Sequence, residues 1–228
     1  MLTVEVILKY YFATVTVLGG LVVLLGTKYT LRTWRGLPKT KWLAPSLAMA
    51  LLALILASTA ELPALILGNW ILLALIAGVA EESVKLLPIK LYRELENWGK
   101  WKLVIGTAFL LGLIEGVLYT SAIVLFGENI YLALVRIVLI GFHTIWAVVS
   151  AGFLLGHTGP RRFSGLAFAI LAHAFYDMPT LAGFGGYSAN AVAAVVVVST
   201  VFMLLTPAMV KRAAELVRTE AEERGGKG

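Results

Sequence analysis

The segment Ala80-Glu81-Glu82-Ser83-Val84-Lys85 places three ionisable side chains inside a run that is otherwise largely apolar, from Pro63 to Ile89. Each such group costs roughly 2.5 to 3.5 kcal/mol to insert at the centre of a membrane helix, so it faces a partner or a water-filled cavity. The segment therefore predicts a membrane helix that carries functional residues.

The composition of the whole chain is that of an integral membrane protein. Of its 228 residues, 60% are hydrophobic and 14% are charged, and the mean hydropathy is +0.89. A membrane-spanning helix needs about 20 apolar residues, so the chain has room for about six to eight helices and for no separate soluble domain. We expect one all-α domain over residues 1–228, a polytopic helix bundle in the cell membrane.

The charge distribution points to the lipid bilayer as a partner. The formal net charge is +6, and the basic residues lie mostly in connecting segments, as expected for loops that face anionic headgroups. No basic patch interleaved with aromatic residues occurs, so nucleic acid is not an expected partner. Cysteine is absent, which excludes disulfides and thiolate chemistry, and the lack of glutamine hints at a thermophilic source.

Apolar runs predict about seven membrane helices. We expect them over residues 4–26, 42–60, 64–91, 103–126, 130–155, 163–177 and 188–209, followed by a charged, helical and partly frayed tail over residues 211–228. Turns or breaks are expected at Glu61-Leu62-Pro63, at Gly127-Glu128-Asn129 and at Met178-Pro179, and a kink at Pro88. Basic residues fall on every second connector, which predicts an N-terminus outside and a C-terminus in the cytoplasm.

Eight ionisable residues fall well inside the predicted spans. They are Glu81, Glu82, Lys85, Glu115, Arg136, His143, His173 and Asp177. At about 1.5 Å per residue, they reach similar depths on four successive helices, so the active-site core is expected within residues 64–178.

Helical periodicity adds detail to this set. Glu81 and Lys85 share a face, as do His173 and Asp177, whereas Glu82 points about 100° away from Glu81. We expect Glu82 to face the other site residues and Glu81 to pair with Lys85. Of the other residues, Arg136 is interpreted as a positioning or interface residue. The aromatic side chains on the same helices are interpreted as packing residues, namely Tyr119, Trp146 and Tyr176.

Carboxylates and imidazoles at one depth indicate hydrolytic chemistry. They are ligands of Zn²⁺ and similar ions, and without a metal the same groups can activate water and stabilise an oxyanion. The sequence lacks the motifs of other protease classes, because it has neither a His-Glu-x-x-His nor a Gly-x-Ser-x-Gly motif. An aspartyl protease needs two aspartates, and Asp177 is the one aspartate of the chain.

Four short motifs resemble those of the PrsW family of intramembrane proteases, a branch of the group that includes the CAAX prenyl endopeptidases. The Glu-Glu-x-x-Lys motif matches residues 81–85, and His-x-x-x-Asp matches residues 173–177. The other two correspond to Gly112, Glu115 and Tyr119, and to Arg136 and His143. A CAAX-type enzyme favours arginine at position 86, where this chain has leucine.

The resemblance implies cleavage of a peptide bond in or near the membrane, by a metalloprotease or a glutamate protease, with a membrane protein or peptide as substrate. As a hypothesis, Glu81 or Glu82 activates the water and Lys85 holds the two glutamates in register. The candidate ligands of Zn²⁺ or another divalent metal are Glu115, His143, His173 and Asp177, and the histidines are alternatively oxyanion donors.

Two other function classes remain open from the sequence. An ion- or proton-coupled transporter would use the same acids and histidines as titrating groups along a path between both faces. A non-catalytic scaffold of the same superfamily would keep the fold without turnover. A peptidase instead predicts a cavity that opens to one side.

Overall fold

The computed structural model describes residues 3–125 and 130–225, which are helical apart from short connections and contain no strand. The eight helices of these ranges are α1 (Val4–Gly36, with a π-helical segment at Val15–Gly19), α2 (Leu43–Ile66), α3 (Trp70–Val84), α4 (Leu87–Leu91), α5 (Asn97–Leu125), α6 (Ile130–Gly156), α7 (Ser164–Phe184) and α8 (Ala189–Gly225). A 3₁₀ turn, Gly159–Phe163, leads into α7. The expected all-α helix bundle is confirmed.

Within the described residues, six helices are long and apolar enough to cross a membrane: α1, α2, α5, α6, α7 and α8. Their outward faces carry large apolar side chains that are exposed, such as Leu24, Ile55 and Val197. Such faces suit a lipid environment. By contrast, α3 has 15 residues, fewer than the 17 to 25 or so of a full span.

The turn predicted at Glu61-Leu62-Pro63 is wrong, because α2 continues through Pro63 to Ile66. A proline near the end of a membrane helix removes one backbone hydrogen bond and can be tolerated there. The turn follows at Gly68, whose φ of +64° suits glycine. Asn69 then starts α3, since its side chain accepts a hydrogen bond of 3.0 Å from the backbone N–H of Leu72.

The predicted helix over residues 64–91 is two helices. The chain breaks at Lys85 and Leu86, before the kink expected at Pro88. A proline ring clashes with the carbonyl group four residues earlier, which here belongs to Val84, the last residue of α3. Pro88 itself lies in the first turn of α4, where a backbone N–H is not needed.

Three other predicted helix ends are also wrong. Helix α7 passes Met178-Pro179 and ends at Phe184, so Asp177 lies inside it. Helix α8 continues without interruption through the tail, which was predicted to be helical but partly frayed, and Val210, Ala213 and Val217 are buried there. Helix α1 likewise extends to Gly36 over part of the predicted basic connector.

Glycines on α6 allow α8 to pack closely. A Cβ atom at Gly152 would lie 2.7 Å from the Cβ atom of Ala213 and 2.8 Å from its backbone oxygen. The C-terminal part of α8 is therefore part of the bundle. The predicted turn at Gly127-Glu128-Asn129 lies outside the described residues.

We expect Gly152→Ala to lower the free energy of unfolding by about 1 to 3 kcal/mol, because the new methyl group must displace α8. Gly20→Ala is the matched control, since a Cβ atom at Gly20 meets nothing within 4 Å. Unfolding of purified protein in detergent, followed by circular dichroism, measures both. Equal stability of the two variants would contradict the close packing of α6 and α8.

Candidate active site

Close packing of α3 on α7 and of α5 on α6 brings the polar residues together. A Cβ atom at Gly78 would lie 2.6 Å from the backbone oxygen of Ile170, so α3 and α7 approach with almost no side chain between them. A Cβ atom at Gly112 would lie 3.1 Å from the ring of His143. These glycines let side chains from four helices meet.

Seven of the eight residues singled out from the sequence form one connected set, here called the acid–histidine cluster. Its members are Glu81, Glu82, Lys85, Glu115, His143, His173 and Asp177. They come from α3, α5, α6 and α7, apart from Lys85, which follows the last residue of α3. The eighth residue, Arg136, lies beside the cluster.

The inner part of the cluster is centred on Lys85. Its Nζ atom lies 2.7 Å from Glu82 Oε1 and 2.6 Å from His143 Nδ1. Glu82 Oε1 is also 3.0 Å from His173 Nδ1. The side chains of Lys85 and Glu82 have no exposed surface, so their charges are compensated within the cluster.

The outer part of the cluster consists of three carboxylates that face the histidine Nε2 atoms. His143 Nε2 lies 3.3 Å from Glu115 Oε2, and His173 Nε2 lies 3.4 Å from Asp177 Oδ2. Glu81 Oε1 is 3.7 Å from His173 Nε2. The shared face of His173 and Asp177 expected from their spacing is present.

The expected pairing of Glu81 with Lys85 is wrong, because the main contact of Lys85 is with Glu82. Lys85 Nζ is 3.7 Å from Glu81 Oε2, against 2.7 Å from Glu82 Oε1. Both glutamates are within reach of the lysine on a helix, and His143 on α6 holds the ammonium group beside Glu82. Glu82 does face its partners, as expected, but it is Glu81 that reaches the cavity described next.

A cavity of about 320 Å³ adjoins the outer part of the cluster. Its polar lining includes Glu81, Glu115, Arg136 and Asp177, and apolar side chains such as Leu73, Leu139 and Phe184 line the rest of its walls. Exposure falls from the cavity inward, since the side chains of Asp177 and Glu115 are 16% and 14% exposed and that of Glu82 is 0%. The cluster is therefore reached from the side of Glu115 and Asp177.

The polar lining residues of the cavity that the sequence interpretation missed include Glu61 and Tyr119. Glu61 contributes from α2, although it was assigned to a turn because Pro63 was taken as a helix end. Tyr119 was taken as a packing residue, yet it lines the cavity and its ring centroid lies 4.2 Å from the guanidinium carbon of Arg136. The position of Tyr119 four residues after Glu115 was the signal in the sequence that could have identified it as a lining residue.

Another residue taken as ordinary packing, Trp146, supports His173. The two rings stack with centroids 5.4 Å apart, and the indole N–H of Trp146 points to Thr206 Oγ1 on α8 at 3.4 Å. The position of His173 thus depends on α8, which carries none of the motif residues.

Three members of the cluster fit a metal ion by geometry and chemistry. Ligand atoms of Glu81, His143 and His173 all lie within 4.8 Å of one another, and all three residues are buried. One carboxylate and two imidazoles form a donor set that suits Zn²⁺. Glu115 and Asp177, expected as ligands from the sequence, contact the same histidines from the cavity side.

Comparison of the chain with protein-family models, with curated proteins and with solved structures gave no match.

We expect Lys85→Met to lower the free energy of unfolding by about 3 to 5 kcal/mol, because it leaves the carboxylate of Glu82 buried without its cation. The double variant Lys85→Met/Glu82→Gln should regain part of this loss. Lys9→Met is the control, since Lys9 pairs with Glu5 on the surface, where such a pair contributes about 0 to 1 kcal/mol.

Denaturation of the purified variants in detergent measures these differences. A Lys85→Met variant as stable as Lys9→Met would show that the buried pair does not stabilise the bundle.

Proposed function

We propose that this chain is an intramembrane endopeptidase, which hydrolyses a peptide bond of a membrane-embedded or membrane-proximal substrate. The observation that carries the proposal is the acid–histidine cluster at the floor of a cavity with apolar walls. The resemblance of its motifs to those of the PrsW family supports the same reaction class. A cluster of this size exceeds what a single interhelical ion pair needs.

Glu81 is the proposed general base. It lines the cavity, whereas Glu82 is held by Lys85 and His173 and has no exposed surface. In the proposed reaction, the carboxylate of Glu81 takes a proton from water, and the resulting hydroxide attacks the scissile carbonyl carbon. The same proton then passes to the leaving amine as the C–N bond breaks, which returns Glu81 to its carboxylate form.

The histidines assist at the carbonyl oxygen. An imidazole N–H close to the attacked carbon can stabilise the oxyanion of the tetrahedral intermediate. Alternatively, Glu81, His143 and His173 would hold a divalent ion such as Zn²⁺, which would polarise the attacking water, and Glu81 would then be a ligand and not the free base. Glu115 and Asp177 orient the two imidazoles from the cavity side.

One-sided access favours hydrolysis over transport. The buried end of the cluster is formed by Glu82 and Lys85, whose side chains have no exposed surface, while the other end opens to the cavity. A transporter would carry polar groups onward to the second face. The apolar walls of the cavity suit a hydrophobic peptide segment.

We also propose that the chain crosses the cell membrane seven times. In this arrangement α3 and α4 together form one crossing in addition to those of the six long helices, and this crossing is interrupted at Lys85 and Leu86. Broken helices are tolerated at membrane depth when their free backbone groups lie within protein. Basic residues in alternate connectors, including Arg93 and Arg161, would then lie in the cytoplasm with the C-terminus, and the N-terminus outside.

We expect Glu81→Gln to reduce peptide cleavage by at least about 100-fold, because the amide cannot accept the proton of the attacking water. The measurement uses protein in nanodiscs and a library of fluorophore–quencher peptides, each with one apolar segment. Glu215→Gln is the control, since Glu215 is exposed on the C-terminal part of α8.

Two results would contradict the proposed activity. One is cleavage by Glu81→Gln at the rate of the unchanged protein, and the other is the absence of cleavage of any library peptide by the unchanged protein. A parallel assay of proton flux in liposomes tests the transporter alternative, which predicts flux that depends on Glu81.

The seven-crossing arrangement is tested with single cysteines, because the natural chain contains none. We expect Leu67→Cys and Ser188→Cys to react with a membrane-impermeant maleimide from outside intact cells. Glu94→Cys and Arg161→Cys should react only after the membrane is opened. Labelling of Leu67→Cys and Glu94→Cys from the same side would show that α3 and α4 do not cross.

A further inference from the structure

A groove of about 530 Å³ lies on the outside of the bundle, and its lining shares no residue with that of the cavity beside the acid–histidine cluster. It is lined by α1, α5 and α6, and by Trp42, the residue before α2. Three large apolar side chains of its lining are exposed, namely Leu31, Phe109 and Ile137. The groove therefore opens towards the lipid and is here called the lipid-facing groove.

The lining of this groove is apolar in character. Among the described residues, none that lines it is charged. The hydroxyl groups of Thr30 and Thr144 donate hydrogen bonds of 2.9 and 3.0 Å to the backbone oxygens of Gly26 and Ile140, each within its own helix. These polar atoms are thus already satisfied, so the surface that the groove offers suits hydrocarbon.

The length of the groove matches one leaflet of a bilayer. Along α1 it extends from Val23 to Trp34, a rise of about 16 Å at about 1.5 Å per residue. The hydrocarbon core of a bilayer is about 30 Å thick, so the groove covers about half of it. A partner helix that crosses the membrane would extend about twice this length, whereas an acyl chain of a phospholipid occupies one leaflet.

One end of the groove has the features of a membrane interface. Trp34 and Trp42 line it, and their rings meet edge to face with centroids 5.6 Å apart. The connector between α1 and α2 is held beside them, because Lys102 Nζ contacts the backbone oxygens of Leu37 and Pro38 at 3.2 and 2.8 Å. Tryptophan is enriched at the level of the lipid headgroups, so this end of the groove is where a headgroup would lie.

Basic side chains without acidic partners surround the same end. They are Arg35, Lys39 and Lys41, which flank the two lining tryptophans in the sequence and are exposed. The chain has no acidic residue from position 6 to position 60. Within the described residues, none of the three basic side chains forms an ion pair. Their charge is therefore available to an anion at the end of the groove.

We propose that the lipid-facing groove binds one phospholipid with an anionic headgroup. One acyl chain lies in the groove, and the phosphate lies at the tryptophan end, where Lys39 and Lys41 compensate its charge. Each basic residue near an anionic headgroup strengthens binding about fivefold. A neutral phospholipid has the same chains but lacks this attraction, so the site distinguishes lipids by headgroup. This binding does not depend on the proposed peptidase activity.

Native mass spectrometry tests the headgroup preference. The protein is released from nanodiscs that contain equal amounts of dioleoylphosphatidylglycerol and dioleoylphosphatidylcholine, which have identical acyl chains. We expect the unchanged protein to retain one phosphatidylglycerol with a preference of at least about tenfold, and Lys39→Gln/Lys41→Gln to lower this preference by at least about tenfold. The matched control Arg161→Gln/Arg162→Gln removes two exposed cations from another connector and should keep the preference. Equal retention of both lipids, or an equal preference in both double variants, would overturn the proposal.

A second pair of variants tests the position of the acyl chain. Thr27→Trp places a bulky ring in the lining of the groove, so we expect it to lose the retained phosphatidylglycerol. Leu24→Trp is the control, since Leu24 is exposed on the same helix but does not line the groove, and it should retain the lipid. Retention by Thr27→Trp as in the unchanged protein would contradict an acyl chain in the groove. Circular dichroism checks that the variants fold, and if Thr27→Trp does not, the lysine variants decide.

Two further results would assign the groove to another occupant. An excess of glycerol phosphate, which has the charge of the headgroup without acyl chains, should leave the lipid bound, because the groove contributes to binding. Displacement by glycerol phosphate would assign the basic end to a free phosphate compound. A lipid-free dimer that dissociates in Thr27→Trp would assign the groove to a second copy of the chain. Either result would overturn the proposal.

Discussion

The buried ion pair between Lys85 and Glu82 is the constraint on which the rest of the site depends. Two charges without exposed surface are stable inside an apolar bundle only if their remaining hydrogen-bonding capacity is used. Here the pair uses part of it on His143 from α6 and His173 from α7. The requirement to compensate two charges beside one helix therefore constrains where the rings of two other helices lie, and the close approach of α7 to α3 takes place at a glycine, Gly78.

The same constraint divides the acid–histidine cluster into an inner part without exposed surface and an outer part that is reached from the cavity. Glu82 and Lys85 are shielded completely, while Glu81, Glu115 and Asp177 lie towards the cavity. Glu82 Oε1 contacts both an ammonium group and an imidazole, so its lone pairs are already engaged and it is a poor proton acceptor. Of two adjacent glutamates, one thus pairs with Lys85 and the other remains accessible from the cavity, although they differ by one position on the helix. Trp146 connects the inner part of the cluster to α8, because it stacks on His173 and its indole N–H points to Thr206.

The class of fold and the members of the cluster were predictable from the sequence, whereas helix ends and individual contacts were not. Ionisable residues in apolar runs are energetically exceptional, so Glu115, His143 and the others could be recognised without a structure. Two helix ends were predicted wrongly at prolines, because Pro63 and Pro179 are tolerated within helices that pack in the bundle. Lys85 could reach either glutamate on its own helix, and the choice of Glu82 depends on His143, which is 58 residues away in the chain.

Several buried polar atoms of the acid–histidine cluster lack a hydrogen-bond partner. Within the described residues, these atoms are Glu81 Oε2, Glu82 Oε2 and His173 Nε2. An unpaired buried polar group costs about 1 to 3 kcal/mol, and the bundle could lower this cost with apolar side chains of similar size. Natural proteins depart from such local rules mainly at functional sites, where activity offsets the loss of stability. A structural role alone would require the Lys85–Glu82 pair and its two imidazole partners. It would not require a second carboxylate, Glu81, at the cavity. The position of Glu81 is therefore better explained by chemistry than by packing.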